Sequence, residues 1–288
     1  MNVNKLKLGC SDFPQILRDI ASPPKQIFVL GDSLAQLLTR PRVAIVGSRK
    51  VSSYGRQVTA KIAGDLAAQG IVIISGLALG VDGLAHQAAL DAGGQTIAVL
   101  PGGLDKIYPA SHRQLARKIL ETGGALVSEY PAGTESFKQN FIARNRLVSG
   151  LSGGLLITEA ALKSGSLHTA RFALEQGHEV MAVPGNITSL TSVGANNLIK
   201  SGAHPITSSE DVLNVLGLKP RVEKAKPVPR GRDQNEQIII DLIVAGTYDG
   251  AELLAMSQLE PADFNQTLTM LEITAKIRPT GANQWSLR

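Results

Sequence analysis

Between residues 42 and 217, short uninterrupted apolar runs alternate with longer amphipathic stretches. Val43-Ala44-Ile45-Val46 comes first, closed by Gly47-Ser48-Arg49 and followed by a stretch of helical length over 54–69. The spacing then predicts strands over 71–74, 96–100, 125–128, 154–158 and 179–183, with helices over 81–92, 111–121, 137–149 and 166–176 among them. None of the strand runs shows period-two alternation of apolar and polar residues. Such runs belong to strands covered on both faces, as in a parallel sheet flanked by helices. Crossovers of about 10 to 15 residues suit right-handed βαβ units, so 42–218 reads as a doubly wound, mostly parallel α/β domain. In such sheets ligands bind beyond the carboxyl ends of the strands, near the point where strand order reverses. The loops of interest therefore begin at Gly47, Ser75, Pro101, Ser128 and Thr158.

The pattern changes on either side of that region. Residues 1–41 lack the alternation and read as an N-terminal extension packing on the core. Residues 219–233, KPRVEKAKPVPRGRD, hold three prolines and almost no apolar side chains, the composition of a solvated, semi-extended basic linker. Over 234–288 the sequence predicts helices at 235–245, 249–256 and 261–274, then strands at 276–279 and 284–287 around Thr280-Gly281-Ala282-Asn283. Three helices and a two-stranded wing are the order of a winged helix.

Composition supports two cores. Of 288 residues, 43% are hydrophobic and 18% charged, which excludes disorder over the whole chain. The one cysteine, Cys10, leaves no internal disulfide framework and no cysteine-based metal cluster, as in a reducing compartment. Lys5 and Lys7 are not followed by an apolar core, so no secretory signal is expected, and the expected location is the cytoplasm. The apolar stretch 66–81 is broken by Gln69, Gly70, Ser75, Gly76 and Gly80, so no membrane span is expected either.

The net charge of +5 asks for an anionic partner, and its distribution says where. Residues 1–218 carry 20 basic and 15 acidic side chains, the linker 6 and 2, and residues 234–288 carry 3 and 7. The predicted third helix of the C-terminal domain has Asp263 and Glu272 but no Lys or Arg. It is better matched to a protein partner than to a phosphate backbone.

Three segments carry candidate chemistry. Gly47-Ser48-Arg49 lies between a strand and a helix, where free amides and the helix dipole favour an anion and Arg49 adds a charge-assisted contact. Neither this loop nor Gly76-Leu77-Ala78-Leu79-Gly80 has the spacing of a dinucleotide fingerprint or a P-loop. The second segment, 137–146, holds Lys138, Arg144 and Arg146 without an acid, interleaved with Phe137 and Phe141. On a helix Lys138, Phe141 and Asn145 share one face, while Ile142, Leu147 and Val148 can turn to the core. Aromatic faces that stack on bases beside cations that follow the backbone hold single strands without reading sequence. The blander reading makes both phenylalanines core residues and the cations a solvated face. In the third segment, Ser164-Gly165-Ser166 precedes a helix that Ser164 or Ser166 could cap, and Lys163 could help bind a second phosphate there. His86 and His168 lack a second ligand at metal spacing, and His86 reads as structural. No Gly-x-Ser-x-Gly elbow is present, so serine catalysis is disfavoured. A hydrolase using Glu129 and Glu159 at strand ends remains a minority reading.

These residues resemble a known family. Val-Ala-Ile-Val-Gly-Ser-Arg, Tyr54-Gly55, Ile-Ser-Gly-Leu-Ala-Leu-Gly-Val-Asp-Gly-Leu-Ala-His, Tyr108-Pro109, Ser128-Glu129-Tyr130-Pro131, Phe141-Ile142-Ala143-Arg144-Asn145-Arg146, Glu159-Ala160 and Ala182-Val183-Pro184-Gly185 occur in the order of the DNA-processing DprA (Smf) family. The resemblance covers about 13–217. It implies an extended Rossmann-like domain that binds single-stranded DNA, protects incoming DNA in natural transformation and loads RecA recombinase in homologous recombination, displacing or working beside single-strand binding protein. It implies no enzyme, no cofactor and no metal. Carried over by motif, the DNA contacts would be Ser48, Arg49, Lys138, Phe141, Arg144, Asn145 and Arg146, supported by Lys163 and Ser164-Gly165-Ser166. A homodimer would form through about 196–216.

The chain departs from the family pattern in two places. Many members carry an N-terminal helical domain, for which about 40 residues before Val43 are too few. The usual Phe-Pro-x-Arg-Asn-Arg also lacks its proline here, where Ile142 stands. Two other functions compete. Pro101-Gly102-Gly103 loosely resembles the cytokinin-activating phosphoribohydrolases, although Leu104-Asp105-Lys106 follows instead of their Gly-Thr continuation. A repressor acting through the winged helix would bind duplex DNA.

Overall fold

The uninterrupted apolar runs become the strands of one sheet, and the amphipathic stretches become helices on both of its faces. The computed structural model describes residues 3–31, 33–219, 229–281 and 283–287, which fall into two units, Met1–Arg221 and Val222–Arg288. Most of the linker expected over 219–233 lies outside the described residues.

The first unit opens with β1 (Val3–Lys7), α1 (Gln15–Arg18), β2 (Gln26–Leu30), α2 (Leu34–Leu37), β3 (Arg42–Val46) and α3 (Ser53–Ala68). It continues through β4 (Val72–Ser75), α4 (Val81–Asp91), β5 (Thr96–Leu100), a short 3-10 turn (Ala110–His112), α5 (Arg113–Glu121), β6 (Ala125–Ser128), α6 (Lys138–Gly150), β7 (Gly154–Ile157), α7 (Ser166–Glu175) and β8 (Glu179–Ala182). It closes with α8 (Val193–Lys200), β9 (His204–Pro205) and α9 (Ser209–Val215). The nine strands lie in the order β1-β2-β6-β5-β4-β3-β7-β8-β9. β1 and β2 pair antiparallel, as do β2 and β6, and the remaining pairs are parallel. From β3 the chain winds outward through β4, β5 and β6, then returns to the other side of β3 as β7. The switch point therefore lies between β3 and β7, as in other extended Rossmann-like sheets.

Within β3, Val43 and Ile45 pack on one face with Ile62, Leu66 and Val81, while Ala44 and Val46 pack on the other with Leu147, Val148 and Leu155. Both sets are buried, which is why the run has no polar alternation.

Residues 1–41 do more than cover the core. β1 and β2 extend the sheet itself, with Val29 opposite Val127 of β6. β1 reads Val-Asn-Lys-Leu-Lys and is largely exposed, an edge strand blunted by lysines, so it carries no apolar run. The one-turn helices α1 and α2, and the two-residue β9, are too short to leave a periodic signal.

The second unit holds α10 (Gln234–Val244), α11 (Gly250–Ser257), α12 (Pro261–Ile273) and the hairpin β10 (Ile277–Gly281) with β11 (Gln284–Leu287), a small winged-helix domain. Ile239, Ile240, Ile243, Leu253, Phe264, Leu268 and Leu271 form its core. Asp233 caps α10, accepting from Glu236 N at 2.8 Å, Asp249 caps α11, and Pro261 opens α12.

His86 is wholly buried on α4, with Nδ1 2.6 Å from Thr96 Oγ1. Burial pushes its pKa down to about 3, aided by the charges of His112 and Arg144. The folded chain keeps the imidazole neutral, whereas the unfolded chain takes a proton near pH ~6.5. Stability is complete above that value and falls as the pH drops towards 3. Between pH 7 and pH 5 the loss from this residue should be about 2 kcal/mol. Urea midpoints of the wild-type chain and of His86→Leu at the two pH values check it, the variant losing less on acidification.

Candidate nucleic-acid interface

At the switch point the loops after β3, β4 and β7 meet the first turns of α6 and enclose an open groove of about 870 Å³. Every predicted site residue except Arg146 lines it: Ser48, Arg49, Lys138, Phe141, Arg144, Asn145, Lys163, Ser164, Gly165 and Ser166. The loop after β3 is tied down by its backbone. Ser48 N donates to Glu159 O at 2.8 Å, and Ser48 O accepts from Val81 N at 3.1 Å. Ser48 Oγ closes a local turn with Lys50 N and O. Ser52 then caps α3, and Glu159 Oε2 accepts from Ser52 N and Oγ.

That anchoring leaves Arg49 exposed, with its guanidinium carbon 4.9 Å from the centre of the Phe141 ring. Phe141 is half-buried and meets Tyr108 edge-on, with ring centres 5.5 Å apart. Neither phenylalanine is a core residue, since Phe137 is 55% exposed. Lys138, Asn145 and Phe141 look into the groove from one face of α6. Ile142 departs from its expected core position and is 43% exposed, whereas Leu147 and Val148 are buried. Arg144 turns inward on that part of the helix, as does Asn140.

Arg144 corrects the reading of the motif. It is 3% exposed, and its Nη1 donates to Gly76 O at 2.6 Å and to Val99 O. Asp82, also buried, accepts from Gly76 N at 3.0 Å. The two side chains thus hold the Gly76 residue by its two backbone groups. A side chain has no room there, because a Cβ on Gly76 would come within 2.5 Å of Arg144 Nη2. Burial lowers the Arg144 pKa to about 10 against the opposing pull of Asp82, and burial raises that of Asp82 against the pull of Arg144. Arg144 is therefore buried at the base of the groove and bound to backbone carbonyls, unlike the exposed Lys138.

Arg146 is corrected as well. Its guanidinium donates to Glu129 Oε1 at 2.8 Å, to Ser22 O at 2.9 Å and to Ala143 O at 2.9 Å, outside the groove. It ties the N-terminal extension to the core. Charge and spacing gave Arg144 and Arg146 the same standing as Lys138. Their inward direction follows from helix phase and from acceptors supplied by other strands, which no local pattern displays.

Lys163 is exposed on the groove, beside Ser164 and Ser166, whose hydroxyls lie 2.8 Å apart. α7 has Gly165 at its cap position and receives no side-chain cap, contrary to the expected serine cap. The walls also include Lys50, Tyr108, His168 and Thr191, which the sequence reading did not select. Tyr108 had a visible signal in Tyr108-Pro109, but its approach to Phe141 depends on tertiary packing. The two strand-end carboxylates considered for hydrolysis are each engaged elsewhere: Glu129 by Arg146 and Glu159 by Ser52. The Pro101-Gly102-Gly103 turn does not line the groove. Among the described residues no group of three His, Cys, Asp or Glu side chains is placed to hold a metal, and no helix is long and apolar enough to cross a membrane.

Fold and groove define an extended Rossmann-like protein with a basic, aromatic-edged groove at its switch point. The model of the family described as DNA recombination-mediator protein A matches residues 6–217, and the chain belongs to that family. It is 48% identical over 204 residues to protein Smf of Escherichia coli K12, covering 71% of this chain and 54% of that protein, so it spans about half of that relative's length. It is 41% identical over 215 residues to the DNA processing protein DprA of Bacillus subtilis, covering 74% and 71%. The crystal structure of DprA from Streptococcus pneumoniae is similar with a TM-score of 0.69 at 39% identity, covering 73% of each chain. DprA from Helicobacter pylori, whose structure is described for its single-stranded DNA binding mode, gives 0.66 at 36% identity, covering 74% of this chain and 95% of that one.

Proposed function

We propose that the chain binds single-stranded DNA along the switch-point groove and acts as a recombination mediator that passes the strand to RecA recombinase. Arg49 and Lys138, with Lys163 also on the groove, neutralise successive phosphates, and a base stacks against Phe141 and Tyr108. One observation carries this reading: an exposed arginine poised over a half-exposed aromatic ring, in a groove whose one acid, Asp82, is buried and hydrogen-bonded. Cations with a stacking platform suit an unpaired strand, whose bases are free to splay; a duplex hides them. The described single-strand binding mode of the H. pylori relative supports the same choice. The wider role, in which the chain protects incoming DNA during natural transformation, works beside single-strand binding protein in the cytoplasm, pairs with a second copy through about 196–216 and catalyses no reaction of its own, rests on family membership.

Titrating the full chain with labelled oligo-dT and with a hairpin duplex over a series of salt concentrations tests the binding step. The single strand should bind more tightly, with a slope of log affinity against log salt of about −0.7 per phosphate contacted. Equal or tighter duplex binding would contradict the reading and favour a repressor acting through the second unit. Faster RecA assembly on strands coated with single-strand binding protein is the expected result for mediation, and unchanged assembly opposes it.

A further inference from the structure

A second groove adjoins the first and shares Arg49 with it. It runs between the start of α3, α4 and the 3-10 turn leading into α5, and its cations are Arg49, Arg56 and Lys118, with no Asp or Glu on its walls. Arg56 and Lys118 are exposed, and neither makes an ion pair or side-chain hydrogen bond among the described residues. Other cations nearby behave differently: Lys61 pairs with Asp65 and Arg117 with Glu121. Arg56 and Lys118 keep their charges free on the wall of this groove.

The ridge between the two grooves is the loop 76–80, and it is held from both sides. Gly76 is gripped by Arg144 and Asp82 as described, and Leu77 O lies 2.9 Å from Nδ1 of His112. The His112 ring rests on Gly83, where a Cβ would come within 2.6 Å of it. Gly80 has φ of +81° and lies so close to the first loop that a Cβ would meet Ser48 O at 2.2 Å. On this fixed ridge Leu79 is 49% exposed on the side of the second groove. A strand leaving Phe141 and passing Arg49 therefore meets an apolar surface for a base and, beyond it, two free cations for phosphates.

We infer that the second groove is a continuation site for the same single-stranded nucleic acid, with Arg56 and Lys118 as its phosphate contacts and Leu79 as the crossing point. The inference rests on the proposed function of the first groove. Because both sites hold one strand, occupation of the second is an intramolecular step that only a sufficiently long strand can make.

The test is a titration of the full chain, wild type and Arg56→Ala/Lys118→Ala, with oligo-dT of graded length over a series of salt concentrations. The shortest oligomer that binds should be held equally by both chains. The gain in affinity with length seen in the wild type should be lost in the variant, together with about 1.4 of the salt slope, for two phosphates at about 0.7 each. A variant that equals the wild type at every length, or one weakened equally at every length, would overturn the inference. So would a gain that requires a duplex flank instead of a longer single strand. Failure of the wild-type chain to bind at any length is a different result, which removes the reading of the first groove and this extension with it.

Discussion

Replacing Arg144 by leucine should destabilise the first unit by about 3–5 kcal/mol, because it removes the foremost cation acting on buried Asp82 and takes a charged donor from Gly76 O and Val99 O. For a domain of this size that corresponds to a fall in melting temperature of roughly 6–20 °C. Asp82→Asn in the same chain should recover part of the loss, since the amide oxygen can still accept from Gly76 N and no lone charge remains. The double variant separates two roles for the same residue. A phosphate-binding arginine, once removed, weakens DNA binding and leaves thermal unfolding unchanged. Arg144, gripping the ridge from below, should lose both, and Asp82→Asn should restore stability ahead of affinity. Differential scanning calorimetry of the four chains measures the cycle, and an unchanged melting temperature for Arg144→Leu would contradict the structural role.

The second large effect separates stacking from charge within the groove. Phe141→Ala should weaken oligo-dT binding by about 1–3 kcal/mol, roughly 5- to 150-fold, while leaving the salt slope unchanged. Lys138→Ala should lower the slope by about 0.7, and Arg49→Ala should do the same while also removing the cation over the Phe141 ring. Fluorescence anisotropy at several salt concentrations reads both quantities at once. If Phe141→Ala changed the slope and Lys138→Ala left it unchanged, the assigned roles would be reversed.

The sheet was legible from its buried strands because a strand covered on both faces is apolar at nearly every position, as in Val43 to Val46 and Ile97 to Leu100. The edges were not legible. β1 is mostly polar because one side of it faces water, and β9 is only two residues long. The groove was legible as far as its glycine loops and the cation-rich α6 segment. Direction was the missing element. Lys138 and Arg144 differ by less than two turns of the same helix, yet one reaches solvent and the other is drawn under the sheet ends by Gly76 O and Val99 O. Arg146 is removed from the groove by Glu129 and Ser22, each distant in sequence. Such partners are brought together only by the completed fold.

Ultraviolet cross-linking of oligo-dT to the full chain, followed by tryptic digestion and mass spectrometry, locates the bound strand on the protein. The strand should attach to the peptide 139–144, which carries Phe141 and lies between the cleavage sites at Lys138 and Arg144. The attachment should be lost in Phe141→Ala. Cross-links confined to residues 234–288, or an unchanged cross-link to that peptide in Phe141→Ala, would contradict the account.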